Sequence, residues 1–309
     1  MKWFRNFEWK EFFAKLYEKA NETDLFGRAA QVAFFFSFAF FPLLLILLTL
    51  FGILLDTTDT LQKELYQYLS QIMPGSAYQL VRTTMDEIIE SSSGGKLTLG
   101  IFATLWSASA GVDSLRSALN SVYEVDESRA YWKTKLQSLV LTFLFILLLA
   151  GALGMVTVGL QFLDTTVKAV GFEVSPSWVL TVIQWMGFLI AMLFSTAVVY
   201  SWLPSFEKFR WVWVSPGAIV AIFLWVISTG GFRLYLQYFN TYNKAYGSLG
   251  AVIILMLWMY LTGIALLIGG AINSVLTEMS ASSGAKEAQK GETEHQIRKM
   301  KEKQSKEKE

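Results

Sequence analysis

The segment 97–123, LTLGIFATLWSASAGVDSLRSALNSVY, constrains the fold more than any other part of the chain. It is apolar enough to enter a bilayer, yet it carries Trp106, Ser107, Ser109, Asp113, Arg116 and Asn120. An ionisable group at the centre of a spanning helix costs about 2.5–3.5 kcal/mol on insertion scales, so it faces a protein interior or a wet cavity. This polar face needs partners elsewhere in the chain, which a plain membrane anchor would not supply. At a rise of 1.5 Å per residue, Asp113 lies roughly 24 Å into the helix and Arg116 roughly 28 Å, close to its end. Arg116 can reach the interface or pair with Asp113 three residues earlier on the same face. Asp113 is shorter and deeper, and stands as a core-organising or functional group.

The rest of the chain supplies the bundle. Of 309 residues 53% are hydrophobic and only 17% charged, which is the composition of several membrane spans. The expected fold is all-α: a polytopic membrane protein with six transmembrane helices over 29–55, 97–123, 136–163, 178–203, 214–238 and 248–276. Pro42 bends the first span by freeing a carbonyl in mid-helix. Pro216 occupies the first turn of the fifth, and Gly230 and Gly231 let that helix bend later. Three flanking parts complete the layout. Segment 1–28 is a cytoplasmic amphipathic helix, with Trp9, Phe12, Phe13, Leu16 and Tyr17 on one side and Glu8, Glu11, Lys15, Glu18 and Lys19 on the other. It suits the membrane interface and the bundle's own surface equally. Its acidic residues and lack of a cleavage site set it apart from a signal peptide. Segment 56–96 is an extracytoplasmic helical hairpin, its two apolar stripes separated by Pro74-Gly75. Segment 277–309 is a disordered charged tail, too polar to fold alone.

Basic residues set the orientation. With both termini cytoplasmic, 19 of the 26 Lys and Arg fall on the inside, as the positive-inside rule requires.

Enzyme chemistry finds little support. There is no cysteine, the single histidine is His295 in the tail, and no metalloprotease, phosphate-loop or nucleophile-elbow motif occurs. Asp86, Glu87 and Glu90 cluster, but as a solvated face. The expectation is a non-enzyme without cofactor or metal, and the net charge of +1 leaves no nucleic-acid footprint. A faint internal echo adds candidates, because Trp225, Ser228 and Gly230 repeat the spacing of Trp106, Ser109 and Gly111, and each set precedes an arginine, Arg233 or Arg116. Three-span halves of opposite orientation are a common transporter plan, although unrelated packing explains three matches as well.

Several motifs then carry a resemblance. They are the proline-bearing aromatic first span, Trp106-Ser-Ala-Ser-Ala-Gly111 ending in Ala118-Leu119-Asn120-x-x-Tyr123, and Tyr200-x-Trp202-Leu203-Pro204. Tyr246-Gly247-Ser248-Leu249-Gly250, Trp258-Met259-Tyr260 and Gly269-Gly270-x-x-Asn273 follow in order. Together they resemble the YihY/BrkB family over about 25–276. The resemblance implies a bacterial inner-membrane protein of a family linked to serum resistance and to export of lipid or glycolipid. An old ribonuclease BN label also attaches to the family, and the residues above do not support it. One departure is Ala271, where the family pattern carries a glutamate, which puts proton coupling in doubt here.

The functional expectation is binding or translocation of a lipid-like amphiphile, with membrane lipids as partners and a homo-oligomer compatible with the sequence. The path would run along Asp113, Arg116, Asn120, Trp106 and Ser109 on the second span and Arg233, Trp225 and Ser228 on the fifth. The alternatives are a channel or ion-coupled small-solute transporter, or a non-catalytic membrane scaffold.

Overall fold

The computed structural model describes residues 8–55, 97–157, 177–207, 211–238 and 248–306, with Lys63, Tyr66, Gln67, Ser70, Tyr78, Gln79, Arg82 and Thr83 besides. Seven helices and no strand occur among the described residues: α1 Trp9–Glu22, α2 Leu25–Leu55, α3 Leu97–Val122, α4 Tyr131–Thr157, α5 Ser177–Trp202, α6 Pro216–Tyr238 and α7 Ser248–Lys306. Among the described residues four stretches are long and apolar enough to cross a membrane: Tyr131–Ala152, Trp185–Trp202, Pro216–Leu236 and Val252–Ser282. A shorter apolar stretch, Leu25–Phe40, begins α2. The polar helix α3 is not among these, in keeping with its load of serine, aspartate and arginine. Pro42 lies inside α2, which continues past it.

Packing follows from small residues that let backbones approach. Near the α1 end, Leu25, Ala29 and Val32 of α2 meet Leu115, Leu119 and Val122 of α3 and Leu267 and Ala271 of α7, in a core closed by Val198, Leu203, Ala218 and Ala221. The beginning of α2 thus lies against the later parts of α3 and α7, so both run antiparallel to it. A Cβ on Gly263 would come within 3.1 Å of the Ala29 carbonyl oxygen, and one on Gly111 within 3.0 Å of the Phe36 ring. At the opposite end Ile146, Ala150, Phe232, Ile254 and Met259 form a second core that also buries Tyr66. Tyr66 and Tyr78 stand edge to face at 6.4 Å, and Arg82 sits 5.8 Å above the Tyr66 ring. The expected hairpin of 56–96 otherwise lies outside the described residues.

Two boundaries differ from the sequence reading. Helix α4 begins at Tyr131, not near residue 136, so Lys133 and Lys135 are helical. A lysine normally marks a loop; Lys135 enters the helix because its charge is met inside the bundle. Helix α7 continues to Lys306, where a disordered tail is expected from 277 onward. The tail is rich in Ala, Lys, Glu and Gln, all good helix formers, and extends a helix that is already nucleated.

Candidate functional site

The polar face of α3 finds its partners on α4. Lys135, Ser138 and Thr142 recur at helical spacing along α4, and all three are buried. Lys135 Nζ lies 2.9 Å from Asp113 Oδ2 and donates to Ser109 Oγ at 2.6 Å. Ser138 Oγ donates to Asp113 Oδ1 at 2.5 Å. Arg116 Nη1 lies 3.0 Å from the same Asp113 oxygen and donates to Ser138 Oγ at 2.9 Å and the Thr134 carbonyl at 3.0 Å. Asp113 therefore accepts from the Lys135 ammonium and the Ser138 hydroxyl, and forms an ion pair with Arg116. The pairing of Arg116 with Asp113 is the one its i, i+3 spacing predicts.

The network continues into the loop between α3 and α4. Glu127 lies 3.4 Å from Arg116 Nε and accepts from Asn120 Nδ2 at 3.1 Å. Arg129 grips the same carboxylate with two guanidinium hydrogen bonds of 2.7 and 2.8 Å. Its other donors reach Gln137 Oε1 at 2.7 Å and the Leu203 carbonyl at 3.0 Å. Asn120 Oδ1 accepts from the Ser205 backbone N–H at 2.9 Å, and Gln137 donates to the Trp202 carbonyl. Three cations and two carboxylates thereby tie α3, α4 and the end of α5 into one unit with an excess of one positive charge. In a medium of low dielectric such a unit is held by its completeness, since an unpaired member is far costlier than a paired one.

The Glu127 carboxyl is held at about 2, well below its ordinary 4.5, first by the Arg129 side-chain hydrogen bonds. Partial burial opposes this, while the Arg129 backbone N–H and the Asn120 amide reinforce it. A folded-state value below the unfolded one contributes stability that is present above the unfolded value and lost as pH falls through the folded value. The stability advantage of the native protein over Glu127→Gln is therefore expected to be constant at neutral pH and to shrink between about pH 4.5 and about pH 2. Thermal unfolding of both proteins in micelles across that range measures it; an advantage independent of pH would remove Glu127 from the network's energetics.

Of the residues singled out in the sequence, Asp113, Arg116, Asn120, Ser109 and Trp106 come together. Trp106 is 44% exposed on the outside of α3, and Lys135 Nζ lies 4.5 Å from its ring centroid. The α6 candidates belong to other surroundings. Trp225 donates to Thr262 of α7 at 3.2 Å, Ser228 is half-buried, and Arg233 is exposed. Helix α6 packs chiefly on α7 and α5 rather than on α3. The echo of Trp106 in Trp225 therefore joins two tryptophans with different neighbours, one against a lysine and one against a threonine.

Sequence reasoning missed Lys135, Ser138, Glu127, Arg129 and Gln137. The signal was present, because Lys135, Ser138 and Thr142 make a polar stripe at the start of an otherwise apolar helix. A second ionic point was missed as well. Lys19 of α1 is buried, lies 3.1 Å from Glu124, donates to Ser274 at 3.0 Å and pairs with Glu278 of α7. Burial alone would lower its pKa; its contacts with Glu278 and Glu124 outweigh this and hold it above the ordinary value. Asn273 makes an interhelical bond, accepting from the Gly217 N–H at 2.9 Å and donating to Ser215 Oγ at 2.9 Å. It thereby caps the first turn of α6, where Pro216 sits as its helix-start preference predicts.

A family model described as virulence factor BrkB matches residues 16–294. The chain belongs to the BrkB family. A ribonuclease-like protein of Bacillus subtilis (strain 168), YfkH, is 32% identical over 265 residues, which cover 86% of this chain and 94% of YfkH. No solved structure matches. Family membership and the apolar helices of spanning length together make this BrkB-family chain an integral membrane protein.

Proposed function

We propose that the protein is a six-span bundle of the bacterial inner membrane, with both termini cytoplasmic and a helical hairpin outside, which binds or translocates a lipid-like amphiphile without covalent chemistry. The observation that carries this reading is the placement of Lys135. Its ammonium is buried between helices, yet it sits over the ring of Trp106, which opens to the outside of α3. A cation beside an apolar outer surface fits an anionic head group whose chains stay in the bilayer. At rest Asp113 fills the anion's place, with Ser109 and Ser138 completing the shell. An arriving head group would exchange with Asp113 for Lys135 and Arg116. Arg233, exposed on α6, would meet head groups at the opposite face. Ala271 is fully buried among apolar side chains, so no titratable group stands at that position to couple movement to protons.

The complete pairing of every charge in the network favours a second reading, a structural scaffold in which the same residues only lock helices together. The two part on one experiment. Liposomes holding the purified protein and head-group-labelled lipids are expected to redistribute label across the bilayer, and the Asp113→Asn, Arg116→Gln double variant to lose most of that activity while remaining folded. Equal redistribution by a folded double variant, or none by the native protein across several lipid classes, would leave the scaffold.

A further inference from the structure

Helix α1 presents two apolar faces, one packed on α7 and the other largely exposed. Phe12 packs with Ile272, Val275 and Met279 of α7, Leu16 joins them, and Lys19 fastens the same side through Ser274 and Glu278. Trp9, Phe13 and Tyr17 form the other face at i, i+4 and i+8, and they are 60%, 59% and 74% exposed. The rings of Trp9 and Phe13 stack at 6.2 Å, and Tyr17 follows one turn further along the same side.

The tether of α1 decides what can cover that surface. Only Thr23 and Asp24 separate it from α2. Asp24 turns the chain with φ 47°, its N–H bonded to the Asn21 carbonyl, and Arg28 Nε bonds the Thr23 carbonyl at 2.8 Å. The helix is thereby fixed at the end of the bundle. Tyr131 and Trp132 at the start of α4, Trp202 at the end of α5 and Trp213 just before α6 are exposed at that same end. Aromatic residues gathered at one level of a helical bundle mark the boundary between membrane and water. Lys10 lies exposed beside the α1 stripe, and a lysine on the flank of an amphipathic helix suits an anionic lipid surface.

We propose that α1 is an interfacial helix that lies in the plane of the membrane, with Trp9, Phe13 and Tyr17 buried in the head-group region of the bilayer and Phe12, Leu16 and Lys19 holding it to α7. Its partner is the lipid surface of the membrane that the bundle spans. The proposal rests on membrane integration and is independent of what the bundle carries.

The chain has no cysteine, so single cysteines can be labelled without a background. Spin labels at Phe13→Cys and Tyr17→Cys, with Glu18→Cys on the exposed polar side as control, are read in vesicles of phosphatidylcholine and phosphatidylglycerol. Collision with oxygen, which partitions into lipid, is compared with collision with a water-soluble nickel chelate. The oxygen-to-nickel ratio is expected to be several-fold higher at 13 and 17 than at 18. The unlabelled protein gives a second reading, because its fluorescence should lose a component quenched by shallowly brominated lipid when Trp9→Phe is made. Ratios at 13 and 17 equal to that at 18 would overturn the proposal. So would exclusion of both reagents, which would mean that a second protein surface covers the stripe.

Discussion

Asp113→Ala is expected to cost the folded bundle about 3–5 kcal/mol, the range found when one partner of a buried ion pair is removed. Among the described residues Asp113 is the only carboxylate hydrogen-bonded to Lys135, whose side chain is 7% exposed, and it also pairs with Arg116. Its loss strands an ammonium that Ser109 can solvate but not neutralise. Lys135→Met should cost less, since Asp113 keeps Arg116 and Ser138. Asp113→Asn preserves the shape but turns an amide toward donors, and falls between the two. Pairing Asp113→Asn with Lys135→Met should recover part of the loss, because the double variant no longer buries an unmatched cation. A double-mutant cycle of unfolding in micelles measures all four proteins. A loss below about 0.5 kcal/mol for Asp113→Ala, the scale of an ordinary surface substitution, would mean that water reaches this site freely.

The same pair shows how far the sequence could be read. Asp113 stood out because a short acidic side chain deep in an apolar helix has few ways to be satisfied, and the i, i+3 spacing named Arg116 as a partner. Lys135 did not stand out. At the edge of a long apolar run a lysine looks like the end of a loop, and only its neighbour on another helix makes it part of the span. Glu127 and Arg129 were hidden in the same way, in a loop whose charges look solvated until Asn120 and Leu203 are placed beside them. Periodicity and length locate helices, because those signals are local. Which polar faces meet depends on tertiary packing, and here the register of α3 against α4 makes the site. The two faces of α1 show the limit from the other side: composition admitted both the membrane and the bundle as its partner, and the structure gives Phe12 and Leu16 to the bundle while leaving Trp9, Phe13 and Tyr17 outside.

The glycines of the later helices should separate sharply in their tolerance of a methyl group. At Gly217 an added Cβ would overlap the Gly269 carbonyl oxygen and lie 2.6 Å from Asn273 Cγ. At Gly269 it would overlap the Tyr200 hydroxyl and lie 2.5 Å from the Gly217 carbonyl oxygen and 2.8 Å from Ala221 Cβ. Most of these obstacles are backbone or fixed by hydrogen bonds. Tyr200 donates to the Leu266 carbonyl at 2.8 Å, and Asn273 caps α6, so neither can swing aside without leaving a buried group unpaired. Gly217→Ala and Gly269→Ala are therefore each expected to cost about 3 kcal/mol, the upper end for overpacking, or to prevent accumulation of folded protein. Gly230 and Gly231 have open space where a Cβ would go. There alanine removes no contact and improves helix propensity by about 1 kcal/mol, so stability should hold or rise. If the proposed lipid movement requires α6 to bend at this pair, the stiffer Gly230→Ala, Gly231→Ala protein would move lipid more slowly while unfolding at the same or higher temperature. Slower movement at undiminished stability would assign the pair to motion. Unchanged movement would leave α6 a rigid wall and confine any gating to the network between α3 and α4.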